Sequence, residues 1–252
     1  TFNSKTATFN DSTVIIPKEL EDEAATGDYA FVVSALAKAH TVTLADANAF
    51  TNKTDAVGKG TLTFSFGDWV DADTFSQNSE QQAVTITIDD TNNTLNGLRD
   101  AINDADFGVQ ASIVDDGING FKLVLTGPSG VDNQMKIAVV EDGASPSNTD
   151  ANDLSRFAFV EGAVNQQLDE LVSGQDAAFS VNGLNVTRST NSVDDVIEGF
   201  TFSLAEADNT QTFTINIGRD TAVAEESVRN FVDSFTAFLE VLQPLTGFTE
   251  GE

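Results

Sequence analysis

The run DDTNN at residues 89–93 contains carboxylate and amide oxygens of the kind that a calcium ion takes as ligands. A helix–loop–helix calcium loop also needs glycine at its sixth position and glutamate at its twelfth. Counted from Asp89, these positions hold Thr94 and Asp100, and counting from Asp90 gives no better match. The same side chains can hold a turn and cap a helix without an ion. We therefore predict a strand, a turn and a helix here, and micromolar calcium binding in calorimetry would contradict this.

Two pairs of adjacent carboxylates could carry acid–base chemistry, Asp115 with Asp116 and Asp194 with Asp195. Such chemistry needs two acids that converge and whose pKa values are pushed apart by burial. Neighbouring side chains in a strand point to opposite faces, so neither pair converges. We predict that both pairs occupy solvated turns.

The remaining residue types leave little material for an active site. His40 is the single histidine, and there is no cysteine, which disfavours a catalytic triad, a multi-histidine metal site and a thiolate metal site. The segment GPSG at 127–130 lacks the spacing of a nucleophile elbow, and no glycine-rich turn has the pattern of a phosphate loop. The sequence predicts a protein that is not an enzyme and binds no cofactor or metal. A salt-adapted hydrolase is the weakest alternative, because the nucleophile and base sets are missing.

The composition is strongly acidic, with 40 Asp and Glu against 12 Lys and Arg and a formal net charge of −28. Such a chain repels phosphate backbones and anionic lipids, so we expect neither a nucleic-acid nor a membrane partner. The acids are spread along the sequence, as on a hydrated surface in salty or extracellular fluid. The 19 Phe against one Tyr and one Trp favour core filling over ligand stacking, and Trp69 is expected at the edge of a core.

Alternating apolar residues predict most of the strands. GTLTFSFG at 60–67 and AVTITID at 83–89 each place their large apolar residues on one face. YAFVVSALAKAHTVTL at 29–44 predicts one or two strands, with a helical middle as the alternative. STVII at 12–16 predicts a strand that stops at Pro17. Asn182-Gly183 is the strongest hairpin signal in the chain.

Helical spacing is clearest after residue 93, where Leu95, Leu98 and Ile102 predict a helix over about 94–105 with Asn93 or Thr94 as its cap. VNQQLDELV at 164–172 predicts a short helix. Three further segments complete the chain order, a linker at 143–156, a helical turn at 190–199, and a long terminal helix.

The terminal helix is predicted to be capped by Asp220 or Thr221 and to end at Pro244. Its apolar stripe could pack on the protein's own β-rich part or join helices outside this chain, and the width and Phe content of the stripe favour the second interpretation. The chain begins at Thr1 without an initiator Met, so we expect it to be part of a longer protein. We predict a helix-packing and oligomerisation surface made of Val228, Phe231, Val232, Phe235, Phe238, Leu239 and Leu242.

Three stretches, in this order, resemble the flagellar filament cap family, hook-associated protein 2. The first is ATGDYAFVVSALAKAHTV at 25–42. The second is GTLTFSFG followed by ITIDDTNNTLNGLRDAINDADFGVQASIVDDGINGFKLVLTG, which is similar to the IN motif of flagellar hook-associated proteins and some flagellins. The third and most specific is GQDAAFSVNGLNVTRSTNSVDDVIEGFTFSLAEADNTQTFTINIGRD, which is similar to the opening of the family's C-terminal region. Together they cover most of residues 11–240.

The resemblance and the strand pattern together imply a mainly β, α+β fold. They imply two β-rich head domains, one inserted in the other, followed by the start of a helical stalk. On this interpretation residues 1–26 and 219–252 form the root of the stalk. Residues 27–58 and 176–218 form one head domain, and residues 59–175 form the inserted head domain with one helix.

The resemblance implies a structural cap at the distal end of the bacterial flagellar filament, outside the cell. Its expected partners are further copies of itself, flagellin and the hook–filament junction proteins, and its expected role is to promote flagellin folding and insertion. The alternative from another class is an extracellular adhesin or surface-binding module, whose β-rich domains would bind a host glycan.

Overall fold

The computed structural model describes residues 4–11, 13–71, 74–143, 152–160 and 167–246. Within them the protein is mainly β and carries a C-terminal helix, which confirms the predicted fold class. The helices are α1, Leu95–Asp104, and α2, Thr221–Thr246. The strands are β1 Lys5–Phe9, β2 Ile15–Leu20, β3 Gly27–Ala35, β4 Ala39–Leu44, β5 Gly60–Asp71, β6 Thr74–Gln77, β7 Val84–Ile88, β8 Gln110–Asp115, β9 Phe121–Ser129, β10 Gln134–Glu141, β11 Leu168–Val172, β12 Ala177–Val181, β13 Leu184–Arg188, β14 Ser192–Ile197, β15 Phe200–Leu204 and β16 Asp208–Arg219.

The chain forms two compact units. Three of their boundaries fall inside β3, β12 and β13, and the fourth lies directly before β14. The terminal unit comprises Thr1–Val33, Ser180–Leu184 and Ser192–Glu252. The central unit comprises Ser34–Phe179 and Asn185–Asn191.

The terminal unit is built around β16 and β15. β16 lies between β1 and β3 in a sheet of order β1-β16-β3-β12-β13, and β15 lies between β14 and β2 in a three-stranded sheet. Alternate side chains of these strands are buried because each strand presents one face to the core. Phe31 and Phe202 meet there edge to face, with ring centroids 5.3 Å apart. Other buried members are Ile15, Val193, Ile197, Phe200, Phe213, Ile215 and Ile217.

The central unit contains two four-stranded sheets and α1. One sheet has the order β11-β4-β9-β8, and in the other β5 pairs with β10 along one side and with β6 and β7 along the other. The predicted alternation in β5 and β7 is confirmed, since Leu62, Phe64, Phe66, Ile86 and Ile88 are all buried. They share one core with the apolar face of α1.

The helix predicted after residue 93 is confirmed, and its cap is Thr94. The Thr94 hydroxyl accepts a hydrogen bond from Gly97 N at 3.1 Å, which satisfies one of the free amides of the first turn. Leu95, Leu98 and Ile102 are fully buried, so the cap fixes where the apolar face of α1 begins.

Replacing Thr94 by valine keeps the side chain's shape and removes the acceptor. We expect the free energy of unfolding to fall by about 1 kcal/mol, as for other lost helix caps. Urea-induced unfolding measures the change. The matched control is Thr61→Val in β5, away from any helix terminus, which should change stability by less than about 0.5 kcal/mol. Equal effects of the two substitutions would contradict the capping role.

The hairpin predicted at Asn182-Gly183 is confirmed, since β12 and β13 are neighbours in the sheet. Asn182 has a φ of 50° and Gly183 a φ of 82°, the left-handed pair that a two-residue hairpin turn requires. The Asn182 side chain also accepts a hydrogen bond from Ala30 N at 2.8 Å, which ties the turn to β3.

Four predicted elements are wrong in type or extent. Residues 168–172 form strand β11 and residues 192–197 form strand β14, where helical segments are predicted. β2 runs through Pro17 to Leu20, which is tolerated because β2 is the edge strand of its sheet. α2 continues past Pro244 to Thr246.

The predicted linker at 143–156 is only partly within the described chain, since residues 144–151 lie outside it. Asp153–Phe157 forms a short 3-10 helix. Leu154 and Phe157 are fully buried in the core of the central unit, so this stretch belongs to the packed structure.

Candidate self-association surface on the C-terminal helix

α2 begins at a polar cap and runs for 26 residues. The Asp220 carboxylate accepts a hydrogen bond from Ala222 N at 3.0 Å, so the predicted cap is Asp220. A carboxylate at this end also interacts favourably with the helix dipole. The start of the helix is therefore specified locally, by the sequence around residue 220.

The predicted apolar stripe is largely exposed to solvent. Leu242 is half-buried, while the other stripe residues are between 48% and 69% exposed. A contiguous apolar surface of this kind is uncommon on a protein that acts alone. The exposed members are Val228, Phe231, Val232, Phe235, Phe238 and Leu239.

The apolar residues of the stripe follow a heptad spacing, which is more specific than the general helical spacing used to predict it. The spacing from Val228 to Phe231, Phe235, Phe238 and Leu242 alternates between three and four residues. This is the a and d pattern of a heptad, which keeps one seam of a helix facing its partners. The stripe therefore fits a partner that is itself helical.

Further apolar residues widen the seam, and acidic residues occupy the opposite face of the helix. Val232 and Leu239 follow the d positions directly and broaden the apolar face, as in a helix that contacts more than one neighbour. The face opposite the seam carries Glu226, Asp233 and Glu240, which repeat every seven residues and are exposed. Val241, 64% exposed, is a flanking apolar residue that the prediction missed and that the heptad register would have identified.

The exposed stripe could gain hydrophobic free energy if another surface covered it. Phe231 and Phe235 stack on each other one turn apart, with ring centroids 6.2 Å apart, yet each remains more than half exposed. Burying a large apolar side chain contributes about 1.5–3 kcal/mol, so covering this stripe would contribute on the order of 5–10 kcal/mol before the costs of ordering.

The DDTNN segment is a turn that leads into α1, as predicted. The Asp89 carboxylate accepts hydrogen bonds from Thr91 N at 2.8 Å and from the Thr91 hydroxyl at 2.6 Å. Asn92 bonds to Asp89 N at 2.8 Å and to Thr87 O at 3.1 Å. Asp89 and Asn92 thus use side-chain oxygens within the turn, and Asp90 pairs with Lys59 at 2.9 Å. The Thr91 hydrogen bonds lower the pKa of Asp89.

The paired carboxylates do not converge on a site. Asp116 accepts hydrogen bonds from several backbone amides of the next four residues and pairs with Lys122 at 2.9 Å, so it organises the β8–β9 hairpin loop. Hydrogen bonding to Lys122 is the main cause of the strongly lowered pKa of Asp116. Asp194 and Asp195 are both exposed but lie in β14, so the prediction of a turn there is wrong.

His40 lies in β4 and is fully buried in the central unit, where its ring contacts β10 and β11. Its Nδ1 accepts a hydrogen bond from Met135 N of β10 at 2.8 Å, and its Nε2 lies 3.2 Å from a carboxylate oxygen of Glu170 in β11, without good hydrogen-bond alignment. The ring also contacts Phe159. Burial lowers the pKa of His40 to about 4.

Trp69 is buried, at 8% exposure, and donates from Nε1 to Met135 O at 3.3 Å. In the described ranges no three His, Asp or Glu side chains are grouped so as to hold a metal ion. Neither described helix has both the length and the apolar character needed to span a bilayer.

Two family sequence patterns match this chain. The pattern described as "Flagellar hook-associated protein 2 C-terminus" matches residues 174–252, and "Flagellin hook IN motif" matches residues 74–127. The flagellar hook-associated protein 2 of Salmonella typhimurium is 35% identical over 70% of this chain and 36% of its own length. The B-type flagellar hook-associated protein 2 of Pseudomonas aeruginosa is 31% identical over 94% of this chain and 48% of its own length.

The chain belongs to the flagellar hook-associated protein 2 family. The resemblance that the three sequence stretches indicated is thereby confirmed. The chain spans less than half the length of these two relatives.

Solved structures of the hook-associated protein 2 family share the fold. The D1-D2-D3 domains of the Escherichia coli flagellar cap protein FliD align with 97% of this chain and 65% of that chain, at 27% identity and a TM-score of 0.72. The D2-D3 domains of the same protein align with 86% of this chain and 100% of that chain, at 27% identity and a TM-score of 0.69.

Proposed function

We propose that this protein forms part of a structural cap at the distal end of the bacterial flagellar filament. It promotes flagellin folding and insertion through ring-forming self-association. The observation that carries the proposal is the apolar stripe of α2, which is exposed along the described part of the helix. Relatives named as hook-associated and cap proteins support this role.

The stripe is the part of the molecule that builds the stalk of this cap. Its a and d register, broadened by Val232 and Leu239, suits a bundle formed with helices of the longer protein and of neighbouring copies. The coverage of the two Escherichia coli structures supports this assignment, because the structure that includes D1 aligns with more of this chain than the D2-D3 structure does.

The remaining residues form the head of the cap. We assign residues 219–252 to the root of the helical stalk and the two β-rich units to the head. Residues 1–26 belong with the head in this assignment, because β1 and β2 lie in sheets with β16 and β15. Residues 39–44 belong with the inserted part, because β4 lies in a sheet with β9. In this role the acidic turns keep the heads hydrated, and the protein works through contacts and not through catalysis. Its partners are further copies of itself, flagellin and the hook–filament junction proteins, at the extracellular tip of the flagellum.

The adhesin alternative has no specific observation in its favour. The names of the relatives refer to the flagellar hook and cap. Saturable binding of the isolated β-rich part to a glycan array would revive the alternative.

Deletion of the parent gene tests the cap role. The deletion strain should lack filaments and release unpolymerised flagellin into the medium, because subunits leaving the export channel are no longer retained and folded at the tip. Electron microscopy of cells and immunoblotting of the medium measure both effects, and the intact gene on a plasmid should reverse them. Normal filaments in the deletion strain would refute the proposal.

A further inference from the structure

The most exposed large apolar side chain of the described residues is Ile118, which is 90% exposed. It lies at the tip of the β8–β9 hairpin, far in sequence from the α2 stripe. A single exposed isoleucine is ordinary by itself. It becomes a candidate contact residue when its loop is held in one conformation and a matching surface exists on another copy.

The loop that presents Ile118 is held in one conformation. The Asp116 carboxylate accepts hydrogen bonds from Ile118 N at 2.9 Å, from Asn119 N at 2.7 Å and from Gly120 N at 3.2 Å. Lys122 pairs with this carboxylate at 2.9 Å. Gly120 has a φ of +115° and its Cα faces Phe50 O so closely that a Cβ would lie 2.4 Å from that oxygen. Little conformational entropy therefore remains to be lost when the tip binds.

A groove lies at the other end of the same unit. It combines two exposed aliphatic side chains, Leu171 at 58% and Val172 at 37%, with the exposed cation of Lys38. We name it the Leu171 groove, lined by Lys38, Leu171, Val172, Ser173, Gly174 and Gln175.

The Leu171 groove is preformed. Lys38 and Gln175 exchange two backbone hydrogen bonds, of 2.8 and 3.1 Å. Gly174 packs so tightly that a Cβ there would lie 2.7 Å from Gly130 O, so the floor cannot rearrange easily. A site of this kind binds with little cost for ordering its backbone.

The sheet topology places the tip and the groove at opposite ends of one sheet. β9 begins at Phe121, beside the tip, and its last residue, Ser129, pairs with Ala39, next to Lys38. Thr41 of β4, the strand that contains Ala39, pairs with Val172 of β11. The nine residues of β9 span about 25–30 Å at the usual rise of a strand. The two surfaces are too far apart to meet within one molecule. Two different surfaces on one molecule are what head-to-tail association of identical copies uses.

The charges of the two surfaces are complementary. Asp115 and Asp116 precede the tip, and Asp116 is paired with Lys122, so Asp115 is the carboxylate that the tip can offer to a partner. Among the described residues that line the groove, Lys38 is the one charged side chain. In a chain of net charge −28, a groove lined by a lysine and no acid is a favoured place for an acidic loop to bind.

We propose that Ile118 of one copy inserts into the Leu171 groove of the next, with Asp115 facing Lys38, and that this contact links neighbouring heads of the assembly. The inference rests on the proposed function, since it names the head contact of the same self-association. The contact is small, so it acts together with the α2 stripe and is weak when alone.

Cross-linking between copies tests the contact directly, because the chain has no cysteine and introduced thiols have no background. Asn119→Cys protein is mixed with Ser173→Cys protein, which places thiols beside the contact and keeps Ile118 and Leu171 in place. A short bismaleimide links thiols that lie close together. The 119–173 product, identified by mass spectrometry, should form roughly tenfold faster than the 184–173 product from Leu184→Cys protein. Leu184 is the control because it is 71% exposed and next to a hairpin turn.

Charge exchange gives a second and independent readout. Lys38→Glu should slow formation of the 119–173 product by roughly tenfold, and adding Asp115→Lys in the Asn119→Cys partner should restore it. Equal linking rates for 119–173 and 184–173, or a Lys38→Glu effect that the exchange does not rescue, would overturn the contact. If α2-dependent association of the full-length protein persists in that case, the proposed function stands without this contact. Loss of α2-dependent association would count against the proposed function instead.

Discussion

Replacing Phe231 and Phe235 together by aspartate is expected to abolish self-association of the full-length protein while the β-rich units stay folded. Both rings lie in the apolar seam of α2 and are more than half exposed. Losing their burial and placing two charges in a helix interface should cost at least about 3 kcal/mol, which is roughly a hundredfold in an association constant. Sedimentation velocity of the full-length protein measures the effect.

The control pair is Asn230→Asp with Ala237→Asp, which adds the same charge to exposed positions of α2 off the seam. This variant should associate as the original protein does. The urea midpoint of the 252-residue chain should be unchanged in both variants, because in the described chain the stripe is not part of either core. Association that survives the seam substitutions would rule out α2 as the self-association surface.

Acidification is expected to destabilise the central unit through His40. The Nδ1 atom accepts the Met135 amide proton, so it must be unprotonated, and burial holds the pKa of His40 at about 4. In the unfolded chain this pKa returns to the ordinary value of 6.5. Below pH 6.5 the unfolded state therefore binds a proton that the folded state does not.

The stabilisation is fully present above pH 6.5 and is lost as the pH falls to about 4. The shift corresponds to about 3 kcal/mol of the free energy of unfolding. Urea unfolding between pH 7 and 4 measures it. His40→Asn keeps an acceptor near Met135 N and removes the titration, so its pH dependence in this window should be much flatter, whatever its absolute stability. Equal slopes for the two proteins would refute the role of His40.

A second acid window belongs to carboxylates and should survive in the His40→Asn protein. The pKa of Asp116 lies below the ordinary value of 3.8, chiefly because of its hydrogen bond to Lys122. A lowered carboxylate pKa gives stability that is present above 3.8 and lost only as the pH falls further. The two windows can therefore be separated by pH.

Some elements follow from short stretches of sequence alone, because neighbouring residues determine their conformation. The alternation in β5 and β7, the Thr94 cap of α1 and the Asn182-Gly183 turn could each be predicted, because few backbone conformations suit those residues. The exposed stripe of α2 was also predictable, since helical spacing defines a face without reference to the rest of the chain.

Other features were decided by tertiary contacts. Residues 168–172 have a pattern compatible with a helix, yet they form β11 because the edge of β4 is available for pairing. In the sequence His40 is a single histidine without an evident partner. The fold brings β10 and β11 next to it, which supply an amide donor and a neighbouring carboxylate. The opposed placement of Ile118 and the Leu171 groove depends on the pairing of β9 with β4. Such long-range pairings depend on burial and hydrogen bonding summed over a whole sheet, which no short segment encodes.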